Sequence, residues 1–436
     1  MKLTLFLIVV GIFVACSGSN ITVIGTGYVG LVAGASLADF GHTVCCVDID
    51  AEKIASLNKG TVPFYEPGLA ELVQKNTPLG NLSFSTNIRA SLTNADIIFL
   101  AVGTPMMSDG SADISAVLAS IDTIASVLQD GLYRLICIKS TVPIGTTDLI
   151  NNALLERVSS DTFDVVFNPE FLREGCALRD FAEPERIVIG LGSEKARAIM
   201  EEIYAPLKRK GVPFFVTNAV TAETIKYASN AFLAVKISYI NEMANLCEKT
   251  GAHIYDVAHG MGLDSRIGNK FLTPGPGFGG SCFPKDSHAL LKKAEEAHVQ
   301  LRIVTAALEA NDFQKKHVVD KLQSLLRHNL KGQTIAILGL AFKANTDDVR
   351  ESAAIDVIKQ LLAQGATIRA YDPLAMENMK KIMPAIYYAS SLQDALADSD
   401  AAIILTEWDE FKQIGMSKNQ HSYKLPILDT RNILKG

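Results

Sequence analysis

A glycine-rich turn close to the start of the chain constrains the fold more than any other feature. It consists of Gly25, Thr26, Gly27, Tyr28, Val29 and Gly30. The turn follows residues 20–25, an apolar run typical of a buried strand, and precedes a helical run, Leu31–Phe40. A second strand-like run, Thr43–Asp48, ends on an acidic side chain. This strand–turn–helix–strand order is the context in which the pattern G-x-G-x-x-G holds a dinucleotide.

Each glycine of this turn has its own expected role. Gly25 permits the tight turn, Gly27 lets the backbone approach a pyrophosphate, and Gly30 allows the helix to pack closely on the strand. Asp48 would accept hydrogen bonds from a ribose 2′-hydroxyl and repel a 2′-phosphate, which favours NAD over NADP. Lys53 lies nearby in sequence and softens that repulsion. We therefore predict an NAD site, with a plain strand–helix turn as the alternative.

Further apolar runs alternate with helical runs through the first half of the chain. Four of them are typical of strands: Asp96–Val102, Leu135–Lys139, Asp164–Phe167 and Arg186–Leu191. Helical patterns such as Ser115–Leu128 lie between them. Continuous apolar strands that alternate with helices indicate a parallel sheet covered on both faces.

The longest helical pattern of the chain covers residues 222–250, with Thr221 as its expected N-cap and Gly251 just beyond its end. At ~1.5 Å per residue such a helix is about 44 Å long, which is enough to join two globular parts. A second helical stretch covers residues 285–329.

The strand–helix–strand pattern starts again at residues 333–340. A helical run, Ser352–Gln364, follows and stops at Gly365, and the next strand-like run, 367–371, leads to Asp372. Residues 400–405 form another buried strand pattern. We therefore predict an α/β fold with two Rossmann-like doubly wound domains joined by a long central helix.

Composition excludes several classes of protein. Lys plus Arg is 41 and Asp plus Glu is 47, so the net charge is −6, and a mildly acidic chain is a poor candidate for binding nucleic acid. No run reaches the ~20 apolar residues of a membrane-spanning helix, so we expect no stable membrane partner. The seven cysteines are odd in number and form no CxxC pair. We therefore expect neither a disulfide framework nor a metal site, and a cytoplasmic protein.

Residues 1–19 disagree with that localisation. Met1-Lys2 precedes the apolar run Leu3–Ala15, and Cys16 to Ser19 are small residues, as in a secretory signal with its cleavage zone. One interpretation is a translated upstream extension with the true start near Ser19. The other is a genuine export signal or membrane tether. We leave the segment out of the fold prediction.

Cys282 is the strongest candidate for a reactive group. It sits between a glycine-rich run, 277–280, and Pro284, which is placed where a helix would begin. A helix N-terminus stabilises thiolate and lowers the pKa of a thiol. Lys285 should act in the same direction and Asp286 in the opposite one. The alternative is a cysteine buried in the core.

Two further groups of polar residues have spacings that suit catalysis. Lys226 and Asn230 are four residues apart, so they share a helix face and can both donate to one developing oxyanion. The alternative is an ordinary solvated face. Glu170 follows a buried strand, at the edge where ligand sites of α/β proteins form, and is a candidate general base. The alternative is a carboxylate that pairs with Arg173.

Taken together, these segments resemble the UDP-glucose 6-dehydrogenase family from Ile21 to about Leu434. The motifs that carry the resemblance are Gly25–Gly30, 139–143, Asn168–Gly175, Lys226–Asn230, Gly277–Asp286, 339–343 and 348–352. Several separated motifs in one order make the resemblance specific. It implies NAD-dependent oxidation of the C6 hydroxymethyl group of UDP-glucose to a carboxylate, with two NAD⁺ consumed.

The resemblance also implies catalytic roles. Cys282 is expected to trap an aldehyde as a thiohemiacetal, which is then oxidised to a thioester. Glu170 is expected to activate the water that hydrolyses the thioester. Lys226 and Asn230 are expected to stabilise oxyanions. Asp286 and Thr141, through an ordered water, are expected to relay the proton of the first step.

Binding roles follow from the same resemblance. The cofactor residues it implies, beyond the glycine turn with Asp48 and Lys53, are Thr104, Thr141, Glu174, Lys285 and Arg350. The substrate residues it implies are Glu170, Phe171, Leu172, Glu174, Lys226, Asn230, Phe271, Leu272, Phe278, Gly279 and Lys343. Arg266 resembles an arginine that reaches across the interface of a homodimer, whose core is the long helix.

The chain is predicted to have four parts, of which the first is not a feature of the family and the other three follow from the resemblance. They are an apolar extension (1–19), an NAD-binding Rossmann domain (20–215), a central helical region with the catalytic cysteine loop (216–325) and a UDP-sugar-binding Rossmann-like domain (326–436).

Three alternatives to this function stay open. The nearest is the same mechanism on GDP-mannose, UDP-N-acetylglucosamine or UDP-N-acetylmannosamine, because the stretch 273–276 does not fix the sugar. The others are a non-catalytic dinucleotide-binding module and a two-electron dehydrogenase. A non-catalytic module predicts the loss of Cys282, Lys226 or Glu170, and all three are present. A two-electron dehydrogenase needs no cysteine nucleophile, and the glycine-flanked Cys282 argues against it.

Overall fold

The structure is a computed structural model that describes residues 18–327, 329–415 and 425–434. Its strands are β1 (Asn20–Ile24), β2 (Thr43–Val47), β3 (Leu82–Ser85), β4 (Ile97–Leu100), β5 (Arg134–Ile138), β6 (Phe163–Phe167), β7 (Ile187–Gly190), β8 (Phe214–Thr217), β9 (Thr334–Leu338), β10 (Thr367–Tyr371), β11 (Tyr387–Tyr388), β12 (Ala401–Ile404) and β13 (Ile427–Asp429).

The helices of the first sheet's half are α1 (Tyr28–Asp39), α2 (Ala51–Asn58), α3 (Leu69–Asn76), α4 (Ile88–Thr93), α5 (Ser115–Leu128), α6 (Thr146–Leu155), α7 (Ala177–Ala182), α8 (Glu194–Ile203) and α9 (Ala205–Arg209). Those that follow are α10 (Ala219–Thr250), α11 (Ile254–Gly262), α12 (Phe283–Glu296), α13 (Arg302–Leu326), α14 (Ala353–Ala363), α15 (Met376–Ile382) and α16 (Leu392–Leu396), and a 3-10 helix covers Asp409–Ile414.

The first sheet has eight strands in the order β3-β2-β1-β4-β5-β6-β7-β8. Its neighbours are parallel except β6 and β7, which run antiparallel and pair at Phe167 and Gly190. The expectation of a wholly parallel sheet is therefore wrong at the β6–β7 pair. Successive residues of β1 point to opposite faces, so Val23 packs with α1 on one side and Ile24 with α5 on the other. Helices cover both faces, as the continuous apolar strands predict.

The second sheet has five parallel strands in the order β11-β10-β9-β12-β13. Its core joins β9 and β12 to α14 and to the end of α13. The predicted α/β fold with two doubly wound sheets and a long helix between them is confirmed. The exact boundaries at 215 and 325 stay a prediction.

Helix α10 begins at Ala219, three residues before the predicted start. Its N-cap is Asn218, whose side chain accepts a hydrogen bond from the backbone N–H of Thr221, so the choice of Thr221 as cap is wrong. The predicted end is confirmed, because Gly251 takes up a left-handed conformation with φ 79°.

The predicted helical stretch 285–329 is two helices. Helix α12 ends at Glu296 and α13 starts at Arg302, with His298 in a left-handed conformation (φ 57°) between them. Neither glycine nor proline marks this break in the sequence. Short strands β3, β8, β11 and β13 were also not predicted.

Residues 1–17, which hold nearly all of the predicted apolar extension, lie outside the described residues. Among the residues that are described, no helix combines the length and apolar character needed to cross a membrane.

Candidate active site

The glycine turn has the geometry that a pyrophosphate needs. Gly25 adopts φ 99°, which favours glycine, and a β-carbon at Gly30 would lie 1.9 Å from the carbonyl oxygen of Gly25. At Gly27 the space is open, since a β-carbon there would meet nothing within 4 Å. The first turn of α1, with Tyr28 and Val29, presents N–H groups that have no intrahelical acceptor. The residues present therefore fit a dinucleotide phosphate.

Asp48 is held as an anion at the end of β2. Its carboxylate accepts hydrogen bonds from the backbone N–H (2.9 Å) and the hydroxyl (2.7 Å) of Thr26, and from the Lys53 ammonium (3.0 Å). Burial alone would raise the pKa of Asp48, but these hydrogen bonds lower it to about 2. Beside it, the apolar side chain of Ile49, which was not predicted as a site residue, is 86% exposed.

A cavity of about 950 Å³ lies where the first sheet, α10 and the second sheet meet. The predicted residues that line it are Glu170, Phe171, Leu172, Glu174, Lys226, Asn230, Phe271, Gly279, Cys282 and Lys343. Segments from four separate parts of the sequence therefore converge on one site.

Cys282 is the N-cap residue of α12 and lines this cavity. Burial, with the Glu170 and Asp286 carboxylates, raises the pKa of its thiol to about 11 against the opposing Lys226 ammonium. The prediction of a lowered pKa from the helix N-terminus is therefore wrong. Lys285 does not lower the pKa of Cys282, because its ammonium is bonded to Asp286 at 2.6 Å.

Lys226 and Glu170 form a buried ion pair. The Lys226 ammonium donates to the carboxylate (2.8 Å) and to the backbone carbonyl (2.7 Å) of Glu170. Burial opposes both charges, yet the attraction between them raises the pKa of Lys226 and holds that of Glu170 below its usual range. Glu170 does not pair with Arg173, which binds Asp180 instead.

Asn230 and Asp286 form a second buried pair beside the first. The Asn230 amide donates to Asp286 at 2.6 Å, and Asp286 is 1% exposed behind the cavity wall. An amide nitrogen and an ammonium each carry more than one N–H. Asn230 and Lys226 therefore keep donors for a substrate oxygen while they hold these carboxylates.

Glu174 links the loop that carries Cys282 to the part of the chain that contains the second sheet. Its carboxyl oxygen Oε1 accepts hydrogen bonds from the Ser281 hydroxyl (2.8 Å) and the Arg350 guanidinium (3.1 Å). Arg350 also holds Asp348 at 2.6 Å. Burial and the nearby Asp348 carboxyl raise the pKa of Glu174 to about 8. Ser281 and Asp348 were not predicted as site residues.

Side chains from the helices hold the loop that carries Cys282. Asn311 of α13 accepts from the backbone N–H of Phe278 (2.7 Å) and donates to its carbonyl (3.1 Å). Gln314 donates to the carbonyl of Gly275, whose N–H donates to Asn241 of α10. None of these three amides was predicted, because the sequence does not distinguish a buried amide on a helix from an exposed one.

Two buried glutamates fix the other loops of the site, and neither was predicted. Glu223 accepts from the backbone N–H groups of Gly145 (2.6 Å) and Thr147 (2.9 Å) at the start of α6. Glu66 accepts from the N–H groups of Gly175 and Ala177 next to Glu174. Both carboxylates sit at helix N-termini, where negative charge is stabilised.

Some predicted residues do not line the cavity. Leu272 and Phe278 are buried behind it, with 5% exposure each. Thr104 donates through its hydroxyl to the backbone carbonyl of Thr141, so these two hold one loop together. Arg266 lies apart from the cavity, and its exposed side chain pairs with Asp264.

Models of three domain families match consecutive parts of the chain. The NAD-binding domain of the UDP-glucose/GDP-mannose dehydrogenase family matches residues 19–208. The central domain of that family matches residues 220–313, and its UDP-binding domain matches 336–436. The predicted NAD cofactor is thereby confirmed.

Relatives and solved structures agree with these matches. The chain is 47% identical over 420 residues to a UDP-glucose 6-dehydrogenase of Rhizobium meliloti (strain 1021), covering 95% of this chain and 96% of the relative. A UDP-glucose dehydrogenase from the hyperthermophilic archaeon Pyrobaculum islandicum superposes with a TM-score of 0.90, at 38% identity and 96% coverage of each chain. A UDP-D-ManNAc dehydrogenase from Pyrococcus horikoshii gives 0.82, at 29% identity and 95% coverage of each chain. The chain therefore belongs to the UDP-glucose/GDP-mannose dehydrogenase family.

Proposed function

We propose that this protein oxidises UDP-glucose to UDP-glucuronate with two NAD⁺, through a covalent adduct on Cys282. The observation that carries the proposal is one cavity lined by a cysteine, a buried lysine–glutamate pair and a buried amide whose aspartate partner lies behind the wall. A two-electron oxidation needs no nucleophilic thiol. A thiol that retains an aldehyde between two oxidations accounts for this combination of side chains.

The glycine turn, Asp48 and Lys53 would hold the cofactor, with the pyrophosphate at the N-terminus of α1. The exposed side chain of Ile49 supplies an apolar surface for the adenine. NAD, when bound, accepts one hydride in each of the two oxidations. Thr104, Thr141, Glu174, Lys285 and Arg350 are the further cofactor residues of the proposal.

The chain's own residues then account for the remaining chemistry. The sulfur of Cys282 adds to the aldehyde carbon and gives a thiohemiacetal, whose oxidation leaves a thioester. Lys226 and Asn230 donate to the oxygen that carries negative charge in both adducts. Glu170 takes a proton from water as that water attacks the thioester, which releases the carboxylate and the thiol.

The first oxidation needs a base for the substrate hydroxyl proton. Asp286 and Thr141 are the proposed relay for it through an ordered water. The buried amide contact of Asn230 to Asp286 keeps this carboxylate oriented toward the Cys282 loop.

UDP-glucose is proposed as the substrate over the other nucleotide sugars. Lys343 lines the cavity on the side of the UDP-binding domain, where it suits a diphosphate. Phe271 and Phe171 line the same cavity and offer apolar surface to a sugar or base. The higher identity with UDP-glucose dehydrogenases than with the UDP-D-ManNAc enzyme supports glucose.

We also propose a homodimer formed through α10. Phe232, Tyr239 and Leu246 are exposed by 64%, 45% and 54% and are spaced seven residues apart, so they form one apolar stripe. Arg266, exposed and outside its own cavity, would then reach the partner's site. Light scattering should give twice the chain mass for the wild type and the chain mass for Tyr239→Lys. A monomeric wild type would contradict the dimer.

The activity is tested by counting NADH per sugar consumed. Wild type with UDP-glucose should give two NADH per UDP-glucose, and Cys282→Ser should not complete the reaction. Cys176→Ser, which alters an exposed thiol, is the matched control and should still give two. One NADH per sugar in the wild type would contradict the four-electron route. Two NADH with a different nucleotide sugar alone would keep the mechanism and change the substrate.

A further inference from the structure

Ser281 stands between the proposed nucleophile and a buried carboxyl group. Its hydroxyl oxygen lies 3.5 Å from the sulfur of Cys282 and 2.8 Å from Oε1 of Glu174. A hydroxyl has one hydrogen and two lone pairs, so it can donate to one neighbour and accept from another. Since Glu174 is the stronger acceptor, the Ser281 hydrogen points to Glu174 and its lone pair faces the Cys282 thiol.

We propose that Ser281 and Glu174 form a proton relay that activates Cys282 for attack. The thiol proton moves to the Ser281 oxygen as the hydroxyl proton moves to Glu174. The products of the step are a thiolate at Cys282, an unchanged serine and a protonated Glu174. No oxidant or further reactant is needed. The inference rests on the proposed function, in which Cys282 is the nucleophile.

The surroundings of Glu174 stabilise its protonated form. Its Oε2 is buried and has no hydrogen-bond donor within reach among the described residues. Arg350 holds the Asp348 carboxyl beside Glu174. Burial and this neighbouring carboxyl raise the pKa of Glu174, while the hydrogen bonds from Arg350 hold the pKa of Asp348 below its usual range. Two carboxylates cannot bond to each other unless one carries a proton. Protonation of Glu174 therefore completes a hydrogen bond that is otherwise missing.

Arg350 offsets the negative charge of the two neighbouring carboxyl groups. Its guanidinium binds Oε1 of Glu174 and both oxygens of Asp348. One positive charge thus faces two carboxylates, and one added proton brings the net charge of the three groups to zero. Because Asp348 and Arg350 come from the half of the chain that carries the second sheet, the relay is complete only when both halves are in contact.

The relay works in step with bond formation. Because the pKa of Glu174 is about 8, the relay runs through the ionised fraction of Glu174, which predominates above that pH. The pKa of the thiol is about 11, so the proton does not leave Cys282 beforehand in appreciable amount. It leaves as the sulfur attacks, which is general-base catalysis. The neighbouring ammonium of Lys226 is bonded to Glu170 and carries its proton, so it is not the base for this step.

The test uses the full-length enzyme with the 6-aldehyde of UDP-glucose and saturating NAD⁺, and measures NADH formation in the second oxidation alone. Ser281→Ala and Glu174→Gln should each slow this step by about 10²-fold, the usual contribution of a positioned base. Ser281→Thr keeps a hydroxyl and should restore most of the rate. The double variant Ser281→Ala with Glu174→Gln should be no slower than either single variant, since both remove one relay.

The matched control is Ser287→Ala in α12, the helix that follows Ser281. Ser287 is buried, and its hydroxyl has no hydrogen-bond partner in the described structure. Removal of this hydroxyl should therefore leave the rate of the second oxidation unchanged. A rate for Ser281→Ala equal to that of Ser287→Ala would overturn the proposal. Additive losses in the double variant would overturn it as well, because they would mean two independent roles.

A second arm needs neither substrate nor cofactor and so separates the relay from the proposed function. Iodoacetamide should alkylate Cys282 about ten-fold more slowly in Ser281→Ala than in wild type, the effect of one hydrogen bond to a charged atom. Peptide mass spectrometry follows Cys282 and the exposed Cys176 in the same sample. Equal slowing of both cysteines, or of neither, would contradict the relay.

Discussion

At the scale of single residues, the surroundings of a side chain decide its chemistry more than its identity does. The sequence pattern around Cys282 is that of a reactive thiol at a helix N-terminus, yet burial and two carboxylates raise its pKa to about 11. The residue was correctly placed in the cavity, while the sign of its pKa shift was wrong. The error arose because the burial of the thiol and the approach of Glu170 are set by contacts over long sequence distances, while the Lys285 ammonium is bonded to its neighbour Asp286.

The ion pair of Lys226 and Glu170 gives a test of stability at this scale. Lys226→Met leaves Glu170 buried and unpaired, which should cost about 3–5 kcal/mol of unfolding free energy in urea. Lys226→Met combined with Glu170→Gln should recover most of that loss. Lys249→Met, an exposed lysine in the last turn of the same helix, is the control and should be near neutral. An equally unstable double variant would contradict the pairing.

The same pair predicts a pH dependence. The pKa of Glu170 is below its usual value in the folded chain, so its stabilising contribution is present at neutral pH. That contribution should be lost as the pH falls through the folded value. Urea midpoints of wild type should therefore drop toward acid more than those of Glu170→Gln. Parallel profiles of the two proteins would contradict the linkage.

At the scale of elements, the sequence predicted strands and helices well where their apolar pattern was long. Helix α5 and strand β10 were predicted to the residue, and Gly251 correctly ends α10. The errors lie at positions without a local signal. The break between α12 and α13 occurs at His298, and β11 has only two residues. Such features depend on packing that a local pattern does not contain.

The amide side chains that hold the cysteine loop belong to this scale. Asn311→Ala removes two hydrogen bonds to the backbone of Phe278 and leaves buried backbone groups unsatisfied. We expect a loss of about 1–3 kcal/mol in unfolding free energy and slower turnover with little change in the affinity for NAD. Urea unfolding and steady-state kinetics measure both. Asn152→Ala, on the exposed face of α6, is the control; equal behaviour of the two variants would contradict the role of Asn311.

At the scale of the whole molecule, the site depends on contact between the two halves. The backbone N–H of Gly280 donates to the carbonyl of Arg350 (2.9 Å), and a β-carbon at Gly279 would lie 2.0 Å from the carbonyl oxygen of Glu351. The doubly wound architecture was predicted because each half repeats strand, helix and strand. The contact itself was not, because it joins segments about seventy residues apart.

Gly279 offers the test of this contact. Gly279→Ala should displace the cysteine loop from the backbone of Glu351, and we expect turnover to fall at least about ten-fold while NAD still binds. Isothermal calorimetry and NADH formation report the two properties. Gly192→Ala is the matched control, since a β-carbon there meets nothing within 4 Å. Normal turnover in Gly279→Ala would show that the two halves need not touch at this point.

The central claim is that Cys282 carries the substrate between two oxidations. Its most direct test is acid quenching of Glu170→Gln during turnover with UDP-glucose and NAD⁺, followed by peptide mass spectrometry. Loss of the base for hydrolysis should allow a thioester to accumulate on the peptide that contains Cys282, with two NADH formed per adduct. Formation of two NADH per sugar with no adduct on Cys282, or with the adduct on another cysteine, would contradict the account.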